Sequence, residues 1–445
     1  MTARASVGDA MMHLLRSGQL EEFVRRAGEL EPADLGDVLA ALEPDARLDA
    51  VRLLPAEVSS RALIEMPEEA HAEETLAALP TAEAAEIVEE LNDDDAADLL
   101  GELDHEAQER ILAGLSDRRD VEELLRYDEE TAGGRMTTAV VSVLDTDSAG
   151  RALEAIRRQA DSLQQVYQIF VVDRYDRLKG VLPLRDLVTS PLDRSVSDFM
   201  TPADITVAPD LDQEAVARVM GRYNLPSVPV VDPEGRLLGA VTFDDVADVV
   251  EEETTEDILK FGGTSADEEL GGGWRDAVRS RLPWLLLNLV TALLAALVII
   301  YFGEVIRQIW ILAAIQPIIA GMGGNAGTQA LAVTVRRIAL GQLPAEQGLG
   351  VVGKEMIVGL VNGVVVGVVV SLGAMALHQG AMMGVVVFLA MAGNLVVAGF
   401  AGAFIPLLLE RFRIDPAVAS SIFVTTFTDV CGFTLLLGLA GRLLL

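Results

Sequence analysis

Hydrophobic positions follow different rules in successive stretches of this chain. Up to about residue 130, an apolar residue followed by a helix breaker recurs every 12 or 13 residues. The pairs are Leu42-Glu43-Pro44, Leu54-Pro55, Met66-Pro67, Leu79-Pro80, Leu91-Asn92, Leu103-Asp104 and Leu115-Ser116. Each unit opens on Pro, Asn, Asp or Ser followed by acids, a helix-start signature. It then carries apolar residues at helical spacing, as Ala84, Ile87, Val88 and Leu91 do. Units this short predict single helices of two to three turns that must pair to bury a face. That is an all-α superhelical solenoid over 1–130.

From 131 to 245 the pattern becomes short β-rich runs alternating with helices, and it is duplicated. Val172–Gly180 (VDRYDRLKG) matches Val231–Gly239 (VDPEGRLLG) at a constant offset of 59 residues. Each copy reads as strand, turn, strand, then a helix opening near Asp186 or Asp245. A helix precedes each copy, at Ser148–Gln159 and Gln213–Met220, and Met-Thr pairs at Met136-Thr137 and Met200-Thr201 open the two. Residues 246–272 are apolar at Val246, Val249, Val250, Ile258 and Leu259 and largely acidic elsewhere. They predict an amphipathic connecting helix, ended by Gly262-Gly263, with Gly271–Gly273 leading onward. Such a charge run serves either as a solvated face or as a rigid link to the next part of the chain.

From 273 to 445 the polar positions thin out into five apolar stretches, roughly 283–302, 309–335, 355–377, 381–409 and 417–441. Each is near or above the about 20 residues needed to cross a hydrocarbon core. The fold expected is therefore multidomain: helical solenoid, α/β pair, amphipathic connecting helix and a five-helix transmembrane domain.

Charge sharpens this division. The first 270 residues hold 61 acids and 24 bases, a net of −37, against +3 for the remainder. Such an acidic half excludes nucleic acid and anionic lipid surfaces as its partners; it suits solubility or the collection of cations. The single cysteine, Cys431, rules out an internal disulfide framework. The N-terminal residues lack the apolar core of a signal peptide, so the first half is expected to be cytoplasmic. One set of loops holds Arg275, Arg279, Arg281, Arg336, Arg337, Lys354, Arg411 and Arg413, and the other only Arg307 and Arg442. The bias puts the N-terminus inside and the C-terminus outside.

Two features of the apolar part carry chemistry. Pro317–Gln329 (PIIAGMGGNAGTQ) places four glycines, Asn325 and Gln329 inside a membrane-length run. A proline followed by such glycines can free carbonyls from the helical ladder, which is tolerable only against protein or water. The segment either lines a path or packs helices tightly. Asp429 is the outstanding deep charge, in Val424–Val430. A carboxylate at that depth is a functional site by default, unless neighbouring hydroxyls such as Thr425 absorb it. No base lies within the spans to pair with it, so it calls for a cation. The four histidines are scattered and Cys431 stands alone, which points to hard oxygen ligands and a largely hydrated ion such as Mg²⁺. Ligand chemistry alone leaves Mn²⁺, Co²⁺ and Ca²⁺ open.

Among the acids before the spans, Asn92–Asp95 and Asp98 crowd one helix start. Asp94 and Asp98 share a face there, either as helix-favouring charges or as divalent ligands. Asp415-Pro416 opens the last span, as a cap with Pro at the first helical position or as a ligand at a cytoplasmic mouth.

The duplicated block, with its Met-Thr openings and D-x-x-x-R-L-x-G strands, resembles a tandem pair of CBS domains over about 135–254. The resemblance implies a regulatory module that either binds an adenine nucleotide such as ATP, with Thr242 and Asp245 at the ribose side of one cleft and Asp186 retained in the other copy, or serves as a dimerisation module without a ligand. The first copy has Pro183 where a hydroxyl is usual.

The whole chain resembles the MgtE family of magnesium channels. The matching pieces are P-x-x-x-G-M-G-G-N-x-G-x-Q at 317–329, Asn394 with Ile405-Pro406, and D-P-A-x-x-S at 415–420 leading to T-T-x-x-D at 425–429. The resemblance implies a homodimer in the inner (plasma) membrane of a prokaryote, with its pore at the subunit interface, Asp429 holding hydrated Mg²⁺ and Asn325 lining the path. It also implies closure when cytosolic Mg²⁺ bridges carboxylates, here Asp94, Asp98, Asp245, Asp248, Glu252, Glu256 and Asp415. A secondary transporter of divalent cations coupled to H⁺ or Na⁺, and a non-conducting membrane scaffold, are the competing classes. The chain has no G-x-x-x-x-G-K-[ST] motif, which disfavours an ATP-driven pump, and no enzymatic activity is expected.

Overall fold

The computed structural model describes residues 2–67, 70–159, 168–265, 273–340, 348–376, 380–412 and 414–445. It divides into two compact units, Met1–Glu251 and Glu252–Leu445.

The first unit begins with the solenoid. Its helices are α1 (Thr2–Arg16), α2 (Leu20–Ala27), α3 (Pro32–Ala40), α4 (Pro44–Leu53), α5 (Ala56–Ile64), α6 (Ala72–Ala78), α7 (Thr81–Glu89), α8 (Asp93–Gly101), α9 (His105–Leu112) and α10 (Arg119–Leu124). Most breakers fall at helix starts, although α6 begins at Ala72, beyond Pro67, and α10 at Arg119, beyond Ser116. Pro32 and Pro44 are first helical residues, Pro55, Pro80, Asn92 and Asp104 stand at N-caps, and Asp104 accepts from the Ala107 amide at 2.8 Å. From α3 onward each helix packs on the one two places further along: α3 on α5, α5 on α7, α7 on α9, and likewise α4 on α6, α6 on α8 and α8 on α10. That alternation is how helices this short each bury a face.

The α/β block comes next. Strands β1 (Ser142–Leu144), β2 (Gln168–Val172), β3 (Leu178–Pro183) and β4 (Thr201–Pro202) form one sheet in that order, and β5 (Ser227–Val231) pairs with β6 (Leu237–Thr242). Helices α11 (Ala149–Gln159), α12 (Leu184–Thr189) and α13 (Gln213–Tyr223) accompany them. The offset of 59 holds to the residue: β5 and β6 repeat β2 and β3, and both hairpins carry an irregularity at the same step, Val171/Val172 and Val230/Val231. The turns place Asp176 and Gly235 at φ 59° and 80°. The two hairpins also bond each other, the Leu178 amide to the Gly235 carbonyl and the Leu237 amide to the Asp176 carbonyl, both at 3.0 Å.

The glycine of each repeat is required by a close approach. A Cβ on Gly180 would lie 2.6 Å from the Thr201 carbonyl oxygen, and one on Gly239 would lie 2.4 Å from that of Thr137. Each Met-Thr pair therefore opens one copy and closes the sheet edge of the other.

Helix α14 (Phe243–Gly262) is continuous, so the sequence division at 245/246 falls inside it. It ends where the glycines predict. Gly263 has φ 78°, the Gly263 amide bonds the Lys260 carbonyl and the Thr264 amide that of Leu259, a Schellman pattern. Of the linker, Gly271 and Gly272 lie outside the described residues.

The second unit holds α15 (Trp274–Tyr301), the short α16 (Gly303–Gln308), α17 (Ile311–Ala339), α18 (Gly348–Ala376), α19 (Ala381–Arg411) and α20 (Pro416–Leu443). Helices extend past the apolar stretches, because apolar patterning marks only the lipid-depth part of each. Among the described residues, four helices are both long and apolar enough to cross a membrane: Trp274–Tyr301, Gly348–Ala376, Ala381–Arg411 and Ser421–Leu443. The fifth expected span, α17, has the length at 29 residues, but its glycines and amides dilute its hydropathy. Helix α19 is central and packs on α17, α18 and α20. Small residues permit this: Cβ atoms on Gly359 and Gly363 of α18 would lie 2.2 Å from the Leu395 carbonyl oxygen and 2.9 Å from Ala392 Cα.

Candidate functional site

The glycine-rich segment does not break its helix. Pro317 and all the glycines after it lie within continuous α17, because the surrounding helices pack it from one side. One face of α17, with Ile319, Gly323, Gly327, Ala330, Leu331 and Thr334, is buried. The opposite face exposes Gly321, Asn325 and Gln329, four residues apart. Gly323 and Gly327 therefore pack against neighbouring helices, as the tight-packing reading expects, while Gly321 and Asn325 face outward.

On α20, Asp429 is partly buried, and its Oδ1 has no hydrogen-bond partner among the described residues. The hydroxyls around it are engaged on their own helix. Thr425 donates to the Ser421 carbonyl at 2.8 Å, Thr426 to that of Ile422 at 2.8 Å, and Thr428 to that of Thr425 at 2.9 Å. The alternative in which Thr425 absorbs the carboxylate is not what the structure shows.

A third group of carboxylates lies where α14 ends. Lys260 Nζ donates to Asp415 Oδ2 at 2.7 Å and pairs with Glu256 one turn earlier. Pro416 is the first residue of α20, as its position predicts. Burial, then Asp415 and Glu253, raise the Asp257 carboxyl, with Arg336 opposing. Phe261 packs beside Leu331, Ala401 and Val424, so the end of α14 rests on α17, α19 and α20. Glu252 is exposed.

In the first unit, α8 is held against the start of the α/β block. Asp93 accepts from Thr137 Oγ1 at 2.7 Å, from the Thr138 amide at 2.9 Å and from the Thr138 hydroxyl. This docking draws Asp94, Asp95 and Asp98 towards Asp245. Asp94 is 8% exposed and its Oδ1 has no hydrogen-bond partner among the described residues. Burial, then Asp95 and Asp245, push its carboxyl well above the usual range. Asp95 is pushed up to about 6 by burial and then Asp245. Asp98 is pushed up to about 7 by burial, although Arg135 at 3.3 Å opposes the rise. Burial foremost also raises Asp245 and Asp248. Ionised carboxylates crowded this way repel and lose hydration together, which is what a shared cation relieves. Among the described residues, no three His, Cys, Asp or Glu side chains converge on one metal-sized site.

The residues proposed for a nucleotide are placed unequally. Thr242 and Asp245 form one half of a capping box at the start of α14: Asp245 Oδ2 accepts from the Thr242 amide at 3.2 Å, and also from its hydroxyl at 2.5 Å. Asp186 instead pairs with its neighbour Arg185 at 3.3 Å, since Pro183 supplies no hydroxyl to repeat the box.

Known proteins match this chain part by part, in the same order. Residues 30–130 match the MgtE intracellular N domain, 132–193 and 196–252 match the CBS domain, and 316–439 match the divalent cation transporter model MgtE. The magnesium transporter MgtE of Enterococcus faecalis is 35% identical over 322 residues, 72% of this chain and 71% of the relative. The chain belongs to the MgtE family of magnesium transporters. The MgtE of Thermus thermophilus is 36% identical over 329 residues, 74% of this chain and 73% of that one. The crystal structure of the cytosolic domain of the Mg²⁺ channel MgtE in complex with ATP is 37% identical with a TM-score of 0.51, covering 54% of this chain and 99% of that one. The soluble part of a magnesium transporter gives 30% and 0.52, covering 56% and 99%.

Against this MgtE background, the sequence reading missed the charges that partner the acids: Arg135 and Lys260. A signal for the last was present, since the chain has only three lysines and one stands alone in an acidic helix. Arg135 carried a weaker one, as a base directly before a Met-Thr opening.

Proposed function

We propose that this MgtE-family chain is a Mg²⁺-selective channel that imports magnesium as a homodimer in a prokaryotic plasma membrane. It crosses five times, with α17 as the fifth span, its N-terminus cytoplasmic and its C-terminus outside. The observation that carries this reading is Asp429: a buried, unpartnered carboxylate oxygen on a membrane-length helix packed against α17. Hydrocarbon cannot accept the exposed Asn325 and Gln329 face of α17. A second copy facing it across water satisfies both helices and doubles the carboxylate. Mg²⁺ keeps most of its water shell and needs only one or two carboxylates, so a pair of Asp429 side chains lined by Asn325 suits it.

Closure at high cytosolic Mg²⁺ is explained by the acids. Mg²⁺ shared by Asp94, Asp98, Asp245 and Asp248 in the first unit, and by Glu252, Glu256 and Asp415 in the second, relieves repulsion only where those groups are gathered. Differential affinity of that kind shifts the population towards the gathered state. Helix α14 carries acids of both sets. An adenine nucleotide at the CBS pair is part of the proposal, supported by the relative solved with ATP and by Thr242 and Asp245 at a helix start.

The test is recording from purified protein in a planar bilayer, with Mg²⁺ varied on the cytoplasmic face. Unitary current steps that disappear as Mg²⁺ rises, and are absent in Asp429→Ala, are the expected result. Flux without unitary steps would make the protein a coupled carrier; unchanged steps in Asp429→Ala would remove that residue from the path. Deleting residues 1–130 should weaken closure by Mg²⁺.

A further inference from the structure

Asn394 of α19 is fully buried and touches both helices assigned to the ion path. Its Nδ2 donates to the Ile319 carbonyl of α17 at 3.0 Å. A Cβ on Gly323 of α17 would lie 2.3 Å from that nitrogen. From the other side, a Cβ on Gly432 of α20 would lie 2.8 Å from Nδ2 and 2.9 Å from Cγ and Oδ1. The amide is thus seated between two glycines on two different helices, and neither glycine has room for even a methyl group.

Packing alone does not account for an asparagine here. The bond to Ile319 fixes which way the amide points, since Oδ1 cannot face a carbonyl oxygen. Oδ1 is left buried without a hydrogen-bond partner among the described residues, which is costly compared with an aliphatic side chain of similar shape. The location is informative. Gly432 lies three residues beyond Asp429 on α20, and Gly323 lies two residues before Asn325 on α17. One planar, hydrogen-bonded side chain therefore spaces the turn that carries the carboxylate from the turn that carries the outward amide.

We propose that Asn394 is a positioning residue for permeation: its amide sets the separation of α17 and α20, and through it the width offered to a hydrated divalent cation. The inference rests on the reading of Asp429 and Asn325 as the ion path. A cation that passes with its water shell is sensitive to that width, and Mg²⁺ and Ca²⁺ differ in how tightly they hold water and in the geometry they demand. Disturbing Asn394 should change which ion passes, and not only how much.

The experiment uses the full chain in phosphatidylcholine/phosphatidylglycerol vesicles, measuring Mg²⁺ and Ca²⁺ flux beside thermal unfolding. For Asn394→Ala, the expected result is a folded protein whose Mg²⁺ flux falls at least tenfold and whose Mg²⁺:Ca²⁺ ratio moves at least threefold. A wild-type ratio in folded Asn394→Ala overturns the proposal, whatever happens to the flux. If that variant does not fold, Gly432→Ala asks the same question from α20, because its methyl drives into the intact amide. A shifted ratio supports the inference and an unshifted one in folded protein overturns it. Asp429→Ala is the control that separates the two layers. Normal flux in that variant defeats the path itself, whereas lost flux there with unshifted ratios at Asn394 and Gly432 defeats only the positioning role.

Discussion

Gly402 of α19 lies so close to Gly327 of α17 that a Cβ on Gly402 would sit 2.4 Å from the Gly327 carbonyl oxygen. The contact is backbone to backbone, so no side-chain rotation can relieve an added methyl group. Gly402→Ala should therefore destabilise the helical unit by about 1–3 kcal/mol, the usual cost of overpacking, seen as a lower melting temperature in detergent. Gly321→Ala on the opposite face, with nothing within 4 Å of the new Cβ, should melt like the parent. If that face lines the path, its transport should still fall.

Arg135 reaches Asp98 at 3.3 Å and Gln213 at 3.0 Å, tying α8 to α13. Arg135→Gln should loosen this docking by about 1–3 kcal/mol, because a partly buried carboxylate loses its ionic partner. Hydrogen exchange should show faster exchange in α8 without divalent ions, and Mg²⁺ should restore protection. Unchanged protection without Mg²⁺ would show that the arginine is not part of the docking.

The same acids dictate a pH dependence. Asp95 and Asp98 are raised from 3.8 to about 6 and about 7 in the folded protein. A carboxyl raised by folding binds protons more tightly when folded, so it costs stability only once ionised. The penalty is absent below the unfolded value near 3.8, grows as pH rises, and is complete above about 7. With divalent ions chelated, protection of α8 should therefore decline from about pH 5 to about pH 7.5, and added Mg²⁺ should restore it at the upper end. A profile that rises with pH would contradict the burial of these groups.

Lys260 places an ammonium group between Glu256 and Asp415. A divalent cation claiming those carboxylates must displace it. Lys260→Gln should lower the cytoplasmic Mg²⁺ needed for half-closure, roughly threefold to tenfold, about 0.7–1.4 kcal/mol. A rise instead would show that the lysine holds the closed arrangement together. Titration of Mg²⁺ in bilayer recordings separates the two.

The sequence by itself determined the elements that depend on residue order. Helix starts at Pro44 and Asn92, the hairpins repeated at an offset of 59, the glycine stop at Gly263 and the helices around the apolar stretches all express local periodicity and backbone preference. Asp429 was legible too, because a lone deep carboxylate stands out against apolar neighbours. Tertiary structure alone decided which glycines of 317–329 pack and which face outward, since Gly321 and Gly323 look alike in a string. It also decided the partners of the acids: Arg135 meets Asp98 across 37 residues and Lys260 meets Asp415 across 155. Contacts at such separations come from how whole helices dock, and the pattern along the chain does not encode that.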